Sequence, residues 1–84
     1  MVSNDKMNKY EEETVNRRIR RLRKQNVLTQ AKLAKMSGVP LPTIKDIERG
    51  TSRSPRPRTL TALAKALKVT PSYLVSGDAD ILTK

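Results

Sequence analysis

The hydrophobic core of this chain has to be built almost entirely from aliphatic side chains, because the sequence contains no Trp, no Phe and only two Tyr. A core of Leu, Ile, Val, Ala and Met favours small packed helices. With 84 residues, the chain is long enough for one compact domain and too short for a second catalytic or sensory module beside it. We therefore expect a single domain that carries the function itself.

The absence of cysteine removes both disulfides and thiolate metal sites. In so short a chain, the lack of a disulfide framework is typical of the reducing cytoplasm. No apolar stretch is long enough to cross a bilayer, and no segment resembles a signal peptide. We therefore expect a cytoplasmic protein without membrane contact.

The strong positive charge indicates an anionic partner. The formal net charge is +10, from 18 Lys and Arg against 8 Asp and Glu, and the isoelectric point is about 10.6. Between Arg17 and Lys68 there are fifteen basic residues but only two acidic ones, Asp46 and Glu48. The charge is therefore concentrated on the predicted domain, as in proteins that bind nucleic acid.

Helix one is predicted from Val15, Ile19 and Leu22, whose i, i+4 and i+7 spacing places them on one helical face. The acidic residues 11–13 favour the start of this helix through its dipole. Residues 1–10 show no sustained apolar periodicity and are interpreted as a flexible arm. The remaining basic positions of the helix are expected on the solvent side, where they would reach phosphates or water: Arg17, Arg18, Arg20, Arg21 and Lys24.

Two further short helices are predicted around a tight turn. Thr29 is a good N-cap for helix two, and Gly38 stands where a helix C-terminus favours positive φ. Val39 is expected to be a small apolar plug between the two helices. Helix three should run from residue 40 or 41 to 49, with prolines in its first turn, where they are tolerated, and with Gly50 closing it.

The last two helices follow a basic loop. Residues 51–58, TSRSPRPR, are predicted to be extended, and Thr59 is expected to cap a helix whose apolar residues recur at i, i+3, i+4 and i+7. Thr70 and Pro71 predict the cap and first residue of helix five, which should end at Gly77 before a loose tail.

Helices two and three, joined by their Gly-containing turn, have the arrangement of a helix-turn-helix. The segments RIRRLRKQNVLTQAKLAKMSGVPLPTIKDIERG and RTLTALAKALKVTPSYLVSG resemble the Cro and repressor (XRE-like) helix-turn-helix family of phages and bacteria. The motifs LTQ, LA, SGV, TI and IERG occur in the family's order and spacing, and the resemblance covers roughly Val15 to Gly77.

This resemblance implies an all-α fold, namely a compact five-helix lambda-repressor-like DNA-binding domain whose helix-turn-helix is formed by helices two and three. It implies a domain over residues 11–77, between an arm at 1–10 and a tail at 78–84. Helix three would enter the major groove of double-stranded DNA, and a homodimer would bind a palindromic operator. The resemblance also implies that helix five can add a dimer patch, so three of its residues either belong to the core alone or contribute to that patch: Tyr73, Leu74 and Val75.

Individual residues match functional positions of the family. The positions that would contact bases are Leu41, Pro42, Thr43, Lys45 and Asp46. The positions expected near DNA phosphates are Thr29, Gln30, Arg49, Arg53, Arg56 and Arg58. Arg23 of helix one and Glu48 of helix three match a structural ion pair that would fix helix three against the rest of the domain.

Helix three departs from related phage repressors, which often carry Gln or Ser at its groove-facing start. Leu41 and Pro42 cannot form bidentate hydrogen bonds, but they could contact thymine methyl groups. Lys45 would then meet guanine acceptors and Asp46 a cytosine amino group. Other interpretations stay open: Leu41 and Pro42 as a local helix start, Lys45 and Asp46 as a surface pair, and the helix-one arginines as a solvated face.

Catalytic chemistry has little support in the sequence. There is no His, no Cys and no Gly-rich phosphate loop, and Asp46 and Glu48, two residues apart, point to different helix faces. Asp78 and Asp80 are too few for a convincing metal site. We therefore expect no enzyme activity, no cofactor and no metal.

The expected function is sequence-specific binding of double-stranded DNA as a transcriptional regulator, most simply a homodimeric repressor. An alternative is an antitoxin of this fold, which would bind a partner toxin and repress its own operon. A nonspecific binder of RNA or anionic membranes is a third class, but the sequence lacks the aromatic platforms on which RNA bases stack.

Overall fold

The computed structural model describes residues 13–50 and 55–77 of the chain. Within these ranges the chain forms helices and no strand, which confirms the predicted all-α, five-helix fold. The predicted arm at 1–10, the predicted tail at 78–84, residues 11 and 12, and Arg53 lie outside the described residues. The helices are α1 Val15–Gln25, α2 Gln30–Ser37, α3 Leu41–Arg49, α4 Pro57–Leu67 and α5 Pro71–Ser76.

Threonine hydroxyls cap three of these helices at their N-termini. Thr14, Thr29 and Thr70 each accept a hydrogen bond from the backbone N–H three residues later, at 3.1, 3.0 and 3.1 Å respectively. Each bond satisfies one of the amides that have no partner inside the helix. The structure therefore confirms Thr29 and Thr70 as predicted caps and adds Thr14, which the sequence analysis did not identify.

Helices α3 and α4 instead have a proline at the cap position or at the first helical position. Pro40 and Arg56 occupy the cap positions, and neither makes a side-chain capping bond. The predicted cap at Thr59 is wrong, because α4 already begins at Pro57, whose fixed φ suits the first position of a helix. The predicted loop at 51–58 is therefore too long at its end, and Arg58 stands in the first turn of a helix.

The core lies where all five helices meet, and no aromatic residue is among its fully buried side chains. Val39, 6% exposed, closes the gap between α2 and α3, as the sequence predicted. Apolar residues at i, i+3 and i+4 spacing place one stripe of each longer helix inward, so that packing stabilises helices too short to persist alone. The buried apolar residues are Ile19, Leu22, Leu33, Val39, Ile44, Ile47, Leu63, Ala64, Leu67 and Leu74.

Arg18 is buried against α5, which corrects its expected place on the solvent side. Only 6% of the residue is exposed, and its Nη1 donates to the Leu74 carbonyl at 2.6 Å. Its Nη2 donates to the Glu13 carbonyl at 2.9 Å. A cation is favoured at the carbonyl end of a helix, so Arg18 attaches the end of α5 to the start of α1.

The close approach of Arg18 also explains the residue that ends α5. Gly77 has φ of +76°, and a Cβ atom there would stand 2.7 Å from Nη2 of Arg18. A side chain at this position would be strained by the backbone conformation and would collide with the guanidinium. Glycine therefore satisfies two requirements at the end of α5.

Glu13 and Arg21 extend this contact between α1 and α5. The Glu13 carboxylate accepts from Arg21 at 2.6 Å through Nε and at 3.1 Å through Nη2, and Nη2 also donates to the Tyr73 hydroxyl at 3.1 Å. The hydrogen bonds from Arg21 lower the pKa of Glu13, with a smaller opposing effect of desolvation. The same bond raises the pKa of Arg21. Glu13 therefore pairs with arginines, beyond the helix-start role predicted for it.

Val27 adopts a strained backbone conformation in the turn between α1 and α2. Its φ is +57°, while the Leu28 N–H closes the helix end by donating to the Arg23 carbonyl at 3.1 Å. A left-handed conformation is unfavourable for a β-branched residue, and the side chain is 88% exposed, so packing offers little in return. Glycine would adopt this conformation without the steric cost.

We expect Val27→Gly to raise the free energy of unfolding by about 0.5–1 kcal/mol, since the relieved strain exceeds the entropy that glycine adds to the unfolded chain. Urea unfolding of the purified protein measures the difference. Val27→Ala, which keeps a Cβ atom, serves as the control and should gain less than Val27→Gly. A glycine variant less stable than the original chain would contradict the strain.

We expect the Glu13 contact to make stability depend on pH in the acidic range. Because folding lowers the pKa of Glu13 from its ordinary value of 4.5, its stabilisation is fully present above that value and is lost as the pH falls through the folded-state pKa. The difference in unfolding free energy between the original chain and Glu13→Gln should be constant from pH 7 to 5. It should shrink toward pH 3.

Urea unfolding across this pH range tests the expectation, and Arg21→Gln supplies the control. Without Arg21, the pKa of Glu13 should return toward its ordinary value, so adding Glu13→Gln to that variant should change the pH dependence little. A difference between Glu13→Gln and the original chain that stays constant down to pH 3 would rule out the contact.

Candidate nucleic-acid interface

The turn between α2 and α3 sets the relative direction of the two helices. Gly38 ends α2 with φ of +82°, and its N–H donates to the Ala34 carbonyl at 2.8 Å. The Ser37 hydroxyl donates to the Leu33 carbonyl at 2.7 Å and accepts from the Val39 N–H at 3.1 Å. These bonds, together with the burial of Val39, hold two short helices in a helix-turn-helix arrangement.

Helix α3 has one buried side and one solvent-facing side. Ile44 and Ile47 are buried, whereas the residues predicted to contact bases lie on the other positions of the helix. Among them Pro42, Lys45 and Asp46 are exposed, while Leu41 and Thr43 are half-buried. The structure thus brings the five predicted side chains to one short helix whose outer face is accessible.

Asp46 forms an ion pair on this face. Its Oδ1 lies 3.5 Å from Nη1 of Arg49, one turn later, and the two side chains are 55% and 61% exposed. An exposed pair of this kind contributes little to stability. The pair can therefore separate at low cost.

A buried ion pair holds α3 against α1. Arg23 donates from Nε to Oε2 of Glu48 at 2.6 Å and from Nη2 to Oε1 at 2.8 Å. The side chains are only 12% and 4% exposed. The bond to Glu48 raises the pKa of Arg23. This bidentate geometry fixes the direction of α3 as well as its distance from α1.

The same ion pair reaches the start of α2. Gln30 donates from Nε2 to Oε1 of Glu48 at 3.1 Å, and Arg23 donates from Nη1 to the Leu28 carbonyl at 2.7 Å. The side-chain amide of Gln30 is therefore already engaged. Its backbone N–H belongs to the first turn of α2, where amides lack partners inside the helix and favour an anion.

Asn16 supports α3 from a second point and was missed by the sequence analysis. Its Nδ2 donates to the Ile47 carbonyl at 3.0 Å. Asn16 precedes Arg23 by seven residues, or two turns of α1, so both side chains project from the same side of that helix. This spacing is the only signal in the sequence that could have identified it.

The predicted phosphate-binding arginines occupy the two ends of the segment between α3 and α4. Arg49 is the last residue of α3, Arg56 is the cap of α4, and Arg58 lies in the first turn of α4. All three are exposed. Thr29, the remaining predicted phosphate contact besides Gln30, is exposed at the start of α2, where its hydroxyl also caps the helix.

The described residues contain no group of three or more His, Cys, Asp or Glu side chains that could hold a metal ion. Among the same residues, no helix is long and apolar enough to cross a membrane. An open groove of about 450 Å³ lies between the start of α4 and α5. It is lined by Pro57, Leu60, Thr61, Pro71, Ser72, Val75 and Ser76.

Known proteins are similar to this chain in both sequence and fold. The Repressor protein C2 of Salmonella phage P22 is 44% identical over 61 residues, which are 73% of this chain and 28% of that protein. The chain thus spans little more than a quarter of this relative's length. The crystal structure of the P22 c2 repressor in complex with synthetic operator 9T is 42% identical and matches with a TM-score of 0.70, covering 77% of this chain and 97% of that one.

A solution structure of the DNA-binding domain of the P22 c2 repressor is also 42% identical and matches with a TM-score of 0.71, over 77% of this chain and 84% of that one. The helix-turn-helix family model (HTH_3) matches residues 19–74, two thirds of the chain. This match includes α2, the turn at Gly38 and α3, the elements whose geometry is described above. The chain therefore belongs to the helix-turn-helix family.

Proposed function

We propose that this chain binds double-stranded DNA sequence-specifically through α3 and acts as a transcriptional regulator, most simply a repressor. The observation that carries the proposal is the outer face of α3, which Arg23 and Glu48 hold in a fixed direction. The relative from phage P22 is named a repressor, and its structure was determined with a synthetic operator. We further propose that the chain acts in the cytoplasm of a bacterium, encoded there or by a phage.

The side chains of α3 suggest how bases would be distinguished. Leu41 and Pro42 offer apolar surface, which suits thymine methyl groups in the major groove. Lys45 can donate to the two guanine acceptors, and Asp46 can accept from a cytosine amino group. Thr43, half-buried beside them, can meet a base or a neighbouring phosphate. Base recognition in this proposal uses few polar contacts, so DNA shape contributes to specificity.

The phosphates would be held on both sides of α3. The backbone N–H of Gln30 stands at the positive end of the α2 dipole, which favours a phosphate, and the exposed Thr29 lies beside it. On the other side, arginines bracket the segment between α3 and α4, and they would bind the backbone without reading sequence. We propose this role for Arg49, Arg53, Arg56 and Arg58.

We propose that the functional unit is a homodimer that pairs through the groove between α4 and α5. Leu74 is fully buried and Tyr73 is half-buried with its hydroxyl bonded to Arg21, so only Val75 of the three suspected patch residues projects outward. Val75 is 53% exposed and lines the groove. A two-fold dimer would present two α3 helices to major grooves about 34 Å apart and would therefore select a palindromic operator.

We expect selection from a random duplex library at about 150 mM salt to recover an inverted repeat. Lys45→Ala and Asp46→Ala should each relax the preference at one base pair per half-site, at a cost of about 1–3 kcal/mol for the preferred base. Lys65→Ala removes an exposed lysine of α4 and should leave the selected sequence unchanged. Tight binding that selects no motif would contradict a sequence-specific regulator.

We expect Val75→Glu to weaken pairing, because it places a charge in the apolar groove of both partners. The variant should bind a duplex with two half-sites scarcely better than a duplex with one, whereas the original chain should bind the former much more tightly. Met36→Glu adds the same charge to an exposed apolar side chain of α2 and should retain the difference. Equal behaviour of the two variants would argue against this groove as the interface.

A further inference from the structure

Asn16 binds the backbone of α3, whereas Arg23 binds the side chain of Glu48. Nδ2 of Asn16 donates to the Ile47 carbonyl at 3.0 Å, and the Gly50 N–H donates to the same oxygen at 3.1 Å. A carbonyl oxygen has two lone pairs, so one is taken by α1 and the other by the end of α3 itself. Asn16 therefore acts directly on the main chain of the last turn of α3.

The contacts of Asn16 and Arg23 restrain α3 in different ways. The ion pair joins two long side chains, and their rotations can follow a small shift of α3 along α1 while the pair stays closed. Asn16 is short and half-buried, and its bond ends on a main-chain atom. The same shift would break this bond, because N–H···O hydrogen bonds are confined to about 2.7–3.2 Å.

The two contacts are far apart on α1 but meet on α3. Asn16 and Arg23 are separated by two turns, or about 10 Å along the axis of α1. Their partners, Ile47 and Glu48, are adjacent in α3. The end of α3 is therefore held from two separate points of α1, and loss of Asn16 would leave it held from one.

The turn that Asn16 restrains is the one beside the proposed polar base contacts. Asp46 and Lys45 lie one and two residues before Ile47, within about 3 Å of it along the axis of α3. Leu41 and Pro42 lie at the other end of α3, next to the turn from α2. A hydrogen bond to a base tolerates a small displacement less well than an apolar contact does. A shift at the end of α3 would therefore affect the polar contacts most.

We infer that Asn16 is a positioning residue for base recognition: its bond to the Ile47 carbonyl keeps Lys45 and Asp46 in register with the base edges. The inference rests on the proposed reading of bases by α3. It assigns part of the sequence preference to a side chain of α1 that need not contact DNA.

A positioning role affects the two components of DNA binding unequally. Phosphate contacts strengthen binding to every sequence, and the long side chains that make them can adjust to a small shift. Affinity for a scrambled duplex should therefore change little without Asn16, while preference for the selected operator should fall. A residue that only supports the fold would lower both affinities by the same factor, because it would change the fraction of folded protein.

The test compares Asn16→Ala with the matched variant Asn26→Ala. Nδ2 of Asn26 also donates to a carbonyl, that of Leu22 at 2.8 Å, but this bond lies within α1 and does not reach α3. Affinity is measured at about 150 mM salt on a duplex with the selected inverted repeat and on a scrambled duplex of the same composition. Urea unfolding gives the folded fraction of each variant under these conditions.

For Asn16→Ala, we expect the ratio of selected to scrambled affinity to fall by about tenfold, within the roughly 5- to 150-fold that one base pair contributes. Affinity for the scrambled duplex should change by less than about twofold. Asn26→Ala should keep the ratio of the original chain. The lost preference should fall on the base pairs that Lys45→Ala and Asp46→Ala also relax, and not on those facing the start of α3.

Two further variants separate positioning from packing. Asn16→Asp keeps the size of the side chain but removes the donor, so it should lose preference as Asn16→Ala does. Combining Asn16→Ala with Lys45→Ala tests the route of the effect. If Asn16 acts by placing Lys45, its loss should relax the base pair of Lys45 far less in the Lys45→Ala variant than in the original chain.

Three results would overturn the inference: an unchanged ratio in Asn16→Ala, equal losses of affinity for both duplexes, or the same loss of ratio in Asn26→Ala. The second and third would make Asn16 a residue of general stability. Failure of the proposed function has a separate signature, because the original chain would then bind selected and scrambled duplexes with equal affinity.

Discussion

The bidentate ion pair between Arg23 and Glu48 is the interaction on which the candidate interface depends. It joins α1 to the end of α3, and through Gln30 it reaches the start of α2. Both charges are largely removed from water, so each stabilises the fold only while the other is present. The pair therefore makes the direction of α3 a property of the whole domain. The residues on the outer face of α3 can therefore vary without changing the orientation of the helix in the domain.

The acidic residues stabilise the fold, whereas most of the basic residues lie on the surface. Each of the three acidic residues in the described ranges neutralises arginine, two of them in contacts that hold helices together. The remaining cations are left on the surface without compensation. Such a protein is held together by a few short polar contacts and an aliphatic core, while most of its charge is directed outward. Its stability should therefore depend less on salt than its binding to a polyanion.

Local rules in the sequence predicted much of the fold. The caps at Thr29 and Thr70, the left-handed Gly38 and the plug at Val39 each follow from chemistry within a few residues, and the structure shows all four. The failures have physical reasons. Both Pro57 and Thr59 are favourable residues for the start of α4, and local preferences alone do not decide between them.

In the sequence, Arg18 cannot be distinguished from its exposed basic neighbours. It is buried because its guanidinium donates to a carbonyl of α5 that lies 56 residues away in the chain. Asn16 was likewise hidden, because its partner is a carbonyl of α3. For the candidate site, the residue types of α3 predicted which chemistry could face DNA. The engagement of the Gln30 side chain with Glu48 required the three-dimensional arrangement, and it leaves the backbone N–H of Gln30, in the first turn of α2, as the group suited to an anion.

The hydrogen bonds of Arg18 to two backbone carbonyls have a mechanical consequence. One guanidinium binds the carbonyls of Glu13 and Leu74, so the segment that leads into α1 and the end of α5 are held together at one point. A force that pulls the segment before α1 away from the end of α5 acts first on the hydrogen bonds of Arg18. The helix-turn-helix lies between these two segments in the chain, so tension applied across them reaches it only after the contact between α1 and α5 has opened.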